Sequence, residues 1–123
     1  MSNVQNKAVE TSWGFELLWA SAQTYSGKML VFTKAGNKTP FGFTKQQERS
    51  WFVNSGSLKL RWIDTSKGQL FEAVLSEGQT YHVPPFLPVS LEAINDNASV
   101  TEVNNGTFSD DYCMILKSDS IGK

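Results

Sequence analysis

The chain holds a single histidine, His82. It is the only side chain whose unperturbed pKa lies near neutrality, so it is the first candidate for general acid–base chemistry. Its neighbours oppose that role. In an extended segment Tyr81 and Val83 are the apolar members and face inward, which turns His82 outward. It therefore reads as a surface or dimer-contact histidine, with a general base as the competing reading. Asp110 and Asp111 are adjacent carboxylates that point to opposite sides of an extended chain, and they suit a turn better than an acid–base pair. The lone cysteine, Cys113, has no histidine near it in the sequence and reads as an inert buried thiol. Trp51, Trp62 and Tyr81 could form a stacking platform for a ligand ring, although aromatics at alternating strand positions more often fill a core. Lys28 either reaches a pocket mouth or sits on the surface. No phosphate loop, zinc-ligand spacing or Ser/His/Asp order is present.

The elements that must position these residues are short and extended. Segments 13–20, 28–34, 39–44 and 50–54 are rich in β-formers and are separated by turn residues such as Ala35-Gly36-Asn37 and Ser55-Gly56. Leu58, Leu60 and Trp62 alternate with Lys59 and Arg61, the pattern of a half-buried strand. Segments 69–75, 80–83, 89–94, 99–103 and 112–116 continue the series. No helix-length window shows period-3.6 amphipathicity. Turns about every 8–12 residues point to an all-β sandwich or barrel. The first dozen residues (1–12) and the last few (118–123) are polar and are expected to be flexible, leaving one barrel over 13–117.

Composition narrows the class. The 123 residues suit one domain able to bury a core without disulfides or a structural metal. The formal net charge of −1 and the scattered Lys and Arg argue against nucleic-acid binding. No apolar run approaches the roughly 20 residues that span a bilayer. The polar start is unlike a signal peptide, so a reducing, cytoplasmic location is expected and the three Asn-X-Ser/Thr sequons read as chance.

One spacing stands out. Gly36 is followed by five residues, then positions 42, 44 and 49, and six residues later by Gly56. Gly78 is followed by five residues and then Pro84. This frame resembles the two motifs of the cupins, small jelly-roll barrels that hold a metal with His, His and Glu from the first motif and His from the second. The Trp13-Gly14 opening, Gly27-Lys28, the run from Ser50 to Gly56 and Val83-Pro84-Pro85 resemble cupin domains of mannose-phosphate isomerases and mannose-1-phosphate guanylyltransferases. The resemblance implies a cupin-type double-stranded β-helix, a jelly-roll barrel.

The ligand slots depart from the pattern. They hold Gly42, Thr44, Arg49 and Val89, and Phe86 stands where the second motif has a glycine. Glycine and valine offer no donor, threonine is a poor one, and arginine is a permanent cation. No metal or other cofactor is expected. The resemblance places Arg49 in the barrel, where its planar fork could grip a carboxylate, a phosphate or sugar oxygens. A structural pair with a carboxylate such as Glu102, or an outward Arg49 beside Glu48, is the other reading. The expected function is a metal-free barrel binding a small polar ligand, a sugar or sugar nucleotide, with Arg49, Thr44, Trp51, Tyr81 and Lys28 in the site. The alternatives are a sugar isomerase or epimerase with His82 as base, and a structural block whose interior is filled by Phe41, Phe43 and Phe86. A homodimer through an edge strand and the N-terminal segment is expected from the resemblance.

Overall fold

The computed structural model describes residues 7–106 and 111–116. Its strands are β1 Lys7–Thr11, β2 Gly14–Ser21, β3 Ser26–Phe32, β4 Phe41–Thr44, β5 Arg49–Ser55, β6 Ser57–Asp64, β7 Gln69–Ser76, β8 Thr80–Val83, β9 Val89–Ala93, β10 Ala98–Asn104 and β11 Tyr112–Leu116. They form two antiparallel sheets. One runs β1-β2-β3-β10-β5-β8 and the other β11-β4-β9-β6-β7. Among the described residues no helix is long and apolar enough to cross a membrane.

Alternation builds the core. Leu58 and Leu60 on β6 are buried, while Arg61 between Leu60 and Trp62 bonds Glu72 and Glu92 on the neighbouring strands. From the opposite sheet Leu30, Phe32, Val53 and Val100 meet the buried residues of β6 and β9. The space between the two inner faces holds the main cavity.

The expected flexible arm over 1–12 is corrected at Lys7–Thr11, which forms β1 and pairs with β2 from Lys7↔Leu18 to Thr11↔Gly14. Its polar composition hid it. An edge strand draws its stability from backbone hydrogen bonds to one neighbour and needs no apolar period. Ser12 and Trp13 make the two-residue turn into β2, so Trp13 stands just ahead of the strand it was expected to begin. Its ring is buried against Phe32 with centroids 4.8 Å apart. Residues 1–6, Asp110 and the expected tail over 118–123 lie outside the described residues.

Candidate functional site

The glycine frame does conformational work. Gly36, Gly56 and Gly78 have φ of 91°, 73° and 85°. Phe86, in the second motif's glycine slot, has φ 66°, so the backbone keeps a left-handed turn there despite its side chain. Its N–H donates to the Thr44 carbonyl at 2.7 Å, which ties the second motif to the first.

This frame brings the four slots together. Gly42 on β4 pairs with Val89 on β9. Thr44 ends β4 and Arg49 opens β5. Thr44, Arg49 and Val89 line a cavity of about 410 Å³ between the sheets. Gly42 lies behind Tyr112 of β11, another lining residue. A β-carbon at Gly42 would overlap the Tyr112 hydroxyl and the Cys113 carbonyl, so the phenol occupies the space a histidine would need.

The charged groups of the cavity sit on the inner face of the six-stranded sheet. Arg49 is opposite Asn104, Glu102 is opposite both Trp51 and Lys28, and Glu16 is one register step from Lys28. Positive and negative groups thus alternate from β5 through β10 and β3 to β2. Glu102 is buried, accepting from Trp51 Nε1 at 2.9 Å and from Asn104 Nδ2 at 3.0 Å. Lys28 Nζ lies 3.3 Å from Glu16 and 3.9 Å from Glu102. The facing wall is uncharged, with Thr39, Pro40, Val89 and Leu91.

Arg49 differs from its neighbours. Its Nε and Nη2 are buried and make no hydrogen bond to the protein. It forms no ion pair among the described residues, and its guanidinium carbon lies 5.5 Å from the Trp51 ring centroid. Burial lowers its pKa from the ordinary value, opposed by the charges of Glu102, Tyr112 and Asp111. Leaving a buried donor unsatisfied costs on the order of 1–3 kcal/mol, more for a charged group. Neither the structural pair with Glu102 nor the outward position beside Glu48 describes Arg49, because both Glu102 oxygens are engaged elsewhere and Arg49 lines the cavity.

Of the other expected site residues, Thr44, Trp51 and Lys28 line the cavity. Tyr81 is not a lining residue but packs on one that is. It faces inward, opposite Trp51, but packs between Trp51 and Trp62 at centroid distances of 6.3 and 6.2 Å. His82 is exposed, with Nε2 3.2 Å from Glu48 Oε2, and does not reach the cavity. The interior is not plugged by phenylalanines. Phe86 is 61% exposed, Phe43 packs on it at 6.1 Å, and Phe41 is buried but does not line the cavity.

Sequence reasoning missed Tyr112, Glu16, Trp13 and Asp111. The buried Asp111 carboxylate accepts backbone N–H groups from Lys45 at 3.2 Å, Gln46 at 2.9 Å and Gln47 at 3.1 Å. It anchors the loop that carries Thr44 to Arg49 and fixes where β11 starts. Its carboxylate, next to a strand of apolar residues, was the available signal.

No family model matches the chain, and no curated protein matches it. Solved structures do. Oxalate decarboxylase from Bacillus subtilis superposes with a TM-score of 0.75 at 17% identity, over 92% of this chain and 30% of that one. The capsular polysaccharide assembling protein CapF from Staphylococcus aureus superposes with a TM-score of 0.77 at 15% identity, over 94% of this chain and 33% of that one. Both have cupin folds.

This chain has the cupin jelly-roll fold.

It spans about a third of the length of these two proteins. Identities this low carry the fold alone, since one fold hosts many activities. Cupins of the usual pattern hold a metal where this chain places Gly42, Thr44, Arg49 and Val89. The residues present do not fit one. A divalent ion needs imidazole, carboxylate or thiolate donors, and here a guanidinium stands in the carboxylate slot and a phenol covers the first histidine slot. Among the described residues no three His, Cys, Asp or Glu side chains are grouped to hold a metal.

Proposed function

We propose that this cupin binds a small polar or anionic ligand in the cavity without a metal, and that the ligand is a sugar, a sugar phosphate or a sugar nucleotide. The observation that carries the reading is Arg49, a half-buried cation with two buried, unpartnered nitrogens at the edge of a cavity of about 410 Å³. Cavities of this size suit small-molecule ligands. An oxyanion meeting a guanidinium makes strong charge-assisted bonds and would offset its desolvation. Trp13 and Trp51 supply flat apolar surface beside it, and Thr44 and Tyr112 supply hydroxyls, a mixture suited to a sugar ring. The motif likeness to mannose-phosphate isomerases and guanylyltransferases supports the carbohydrate class.

Binding without turnover is favoured over isomerase or epimerase activity. His82 is outside the cavity, and Glu102 is buried with each of its oxygens already held by a hydrogen bond. The test is a thermal-shift titration with hexose phosphates, sugar nucleotides and the matching neutral sugars. A phosphorylated ligand should raise the melting temperature by several degrees, and Arg49→Ala should abolish the rise. A rise that survives Arg49→Ala, or no rise with any compound, would overturn the reading. So would elemental analysis showing one zinc, manganese or iron per chain.

A further inference from the structure

Two side chains in the wall of the cavity hold buried polar atoms without a hydrogen-bond partner. One is Arg49, through Nε and Nη2, and the other is Thr11, through Oγ1. They come from different parts of the six-stranded sheet. Arg49 opens β5 and shares a row with Asn104 and Ser26. Thr11 closes β1 and shares a row with Gly14 and Phe32, six residues further along β3 than Ser26. Strands β2, β3 and β10 lie between the two. The cavity therefore runs diagonally across the inner face of the sheet, from Arg49 at one corner to Thr11 at the other. The corners differ in charge. At the first, Nε and Nη2 share one edge of the guanidinium, and their parallel N–H bonds match two oxygens of a single phosphate or carboxylate. The loop beside it adds no backbone donors, because the N–H groups of Lys45, Gln46 and Gln47 are taken by Asp111 and that of Glu48 by Asn105. At the second corner the groups are neutral. Thr39, whose Oγ1 accepts from the Leu91 N–H at 3.0 Å, adds another hydroxyl to that of Thr11, and Pro40 and Leu91 complete the wall.

We propose that the cavity reads its ligand at both corners, with Arg49 taking one anionic group and Thr11 taking a neutral hydroxyl at the opposite end of the same molecule. This rests on the metal-free binding proposed for the cavity and narrows its ligand to a hydroxylated molecule charged at one end only, a sugar monophosphate. A ligand hydroxyl both donates and accepts, so it satisfies Thr11 Oγ1 in either sense. A second phosphate at that corner would be desolvated without compensation. The other cation lining the cavity, Lys28, already faces Glu16 at 3.3 Å and Glu102 at 3.9 Å. Thr11 is therefore a specificity-determining residue. The polar edge strand β1 belongs to the site as well as to the sheet.

Titration calorimetry with a glucose monophosphate, a trehalose monophosphate and a glucose bisphosphate tests this. The unmutated protein should bind the better monophosphate at least about tenfold more tightly than the bisphosphate. Arg49→Ala should abolish binding of all three. Thr11→Val keeps the shape of the side chain and removes the hydroxyl, and it should weaken the better monophosphate about fivefold. Its denaturation midpoint without added sugar should be no lower than that of the unmutated protein, because a buried, unpartnered hydroxyl has been removed. Thr11→Lys should reverse the preference, so that the bisphosphate binds more tightly than either monophosphate. The comparison of monophosphates with bisphosphate on the unmutated protein decides the matter even where a variant does not fold. Monophosphate binding that needs Arg49 but is unchanged in Thr11→Val overturns the reading at two corners and leaves the metal-free site standing. So does a bisphosphate that the unmutated protein binds as tightly as the monophosphates. A protein that binds none of the three overturns both.

Discussion

Between the two sheets the interior has two ends. At one, Trp62 packs on Phe71 at 5.6 Å and on Tyr81 at 6.2 Å, and Tyr81 continues to Trp51 at 6.3 Å. At the other, Arg49, Glu102, Lys28 and Glu16 surround a cavity. Both ends are built from inward positions on strands of the same barrel. Aromatic side chains at those positions close the gap, and charged ones hold the walls apart because a buried charge is kept where groups can solvate it. Trp51 belongs to both ends, with its ring towards Tyr81 and its N–H towards Glu102. The packed end sustains the fold, and the charged end is available for a ligand.

Substitutions separate the two ends. The largest effect belongs to the packed end. Trp62→Ala should destabilise by about 3 kcal/mol in chemical denaturation, since it removes the ring that Phe71 and Tyr81 both touch. Ligand-induced stabilisation should persist in what folds. Next is the loop that serves the cavity. Asp111→Ala strands three backbone donors and should cost about 2 kcal/mol, while weakening ligand binding through Thr44 and Arg49. A stability loss with binding unchanged would show that the loop does not position the site.

Arg49→Met should act in the opposite sense. Replacing a half-buried cation whose Nε and Nη2 are buried without hydrogen bonds by an apolar side chain should raise stability by about 1 kcal/mol and remove ligand binding. A destabilised Arg49→Met protein would mean that Arg49 belongs to the structural end after all. The smallest effect is alkaline. Burial raises the Tyr81 and Tyr112 phenols, so the folded state holds their protons longer than the unfolded chain does. The stability they contribute is complete below a pH of about 10 and is lost as the pH rises through their folded values. Tyr112→Phe should make that alkaline fall shallower.

Much of this was legible in the sequence, for physical reasons. Strand alternation and turn residues marked β2 to β11, because a sheet with one face in the core writes a period of two. The polar edge strand β1 wrote none. The spacing from Gly36 to Gly56 located the slots, because backbone φ near +90° selects glycine wherever a turn requires it. Alternation also turned Tyr81 inward. It could not say which end of the interior Tyr81 would reach, since that depends on strand order in the sheet. Tyr112 opens a strand more than sixty residues beyond β4 and Asp111 immediately precedes it, and only the closed barrel sets them against Gly42 and the loop after Thr44.

The phenol behind Gly42 has a consequence for how such a barrel can change over time. An imidazole at position 42 would have to displace both the Tyr112 ring and the Cys113 carbonyl. Any side chain at position 42 meets the same obstacle, and the Arg49 cation would still repel an ion. β11 therefore has to move before position 42 can present a ligand to the cavity, so metal binding in this barrel is coupled to the position of its last strand.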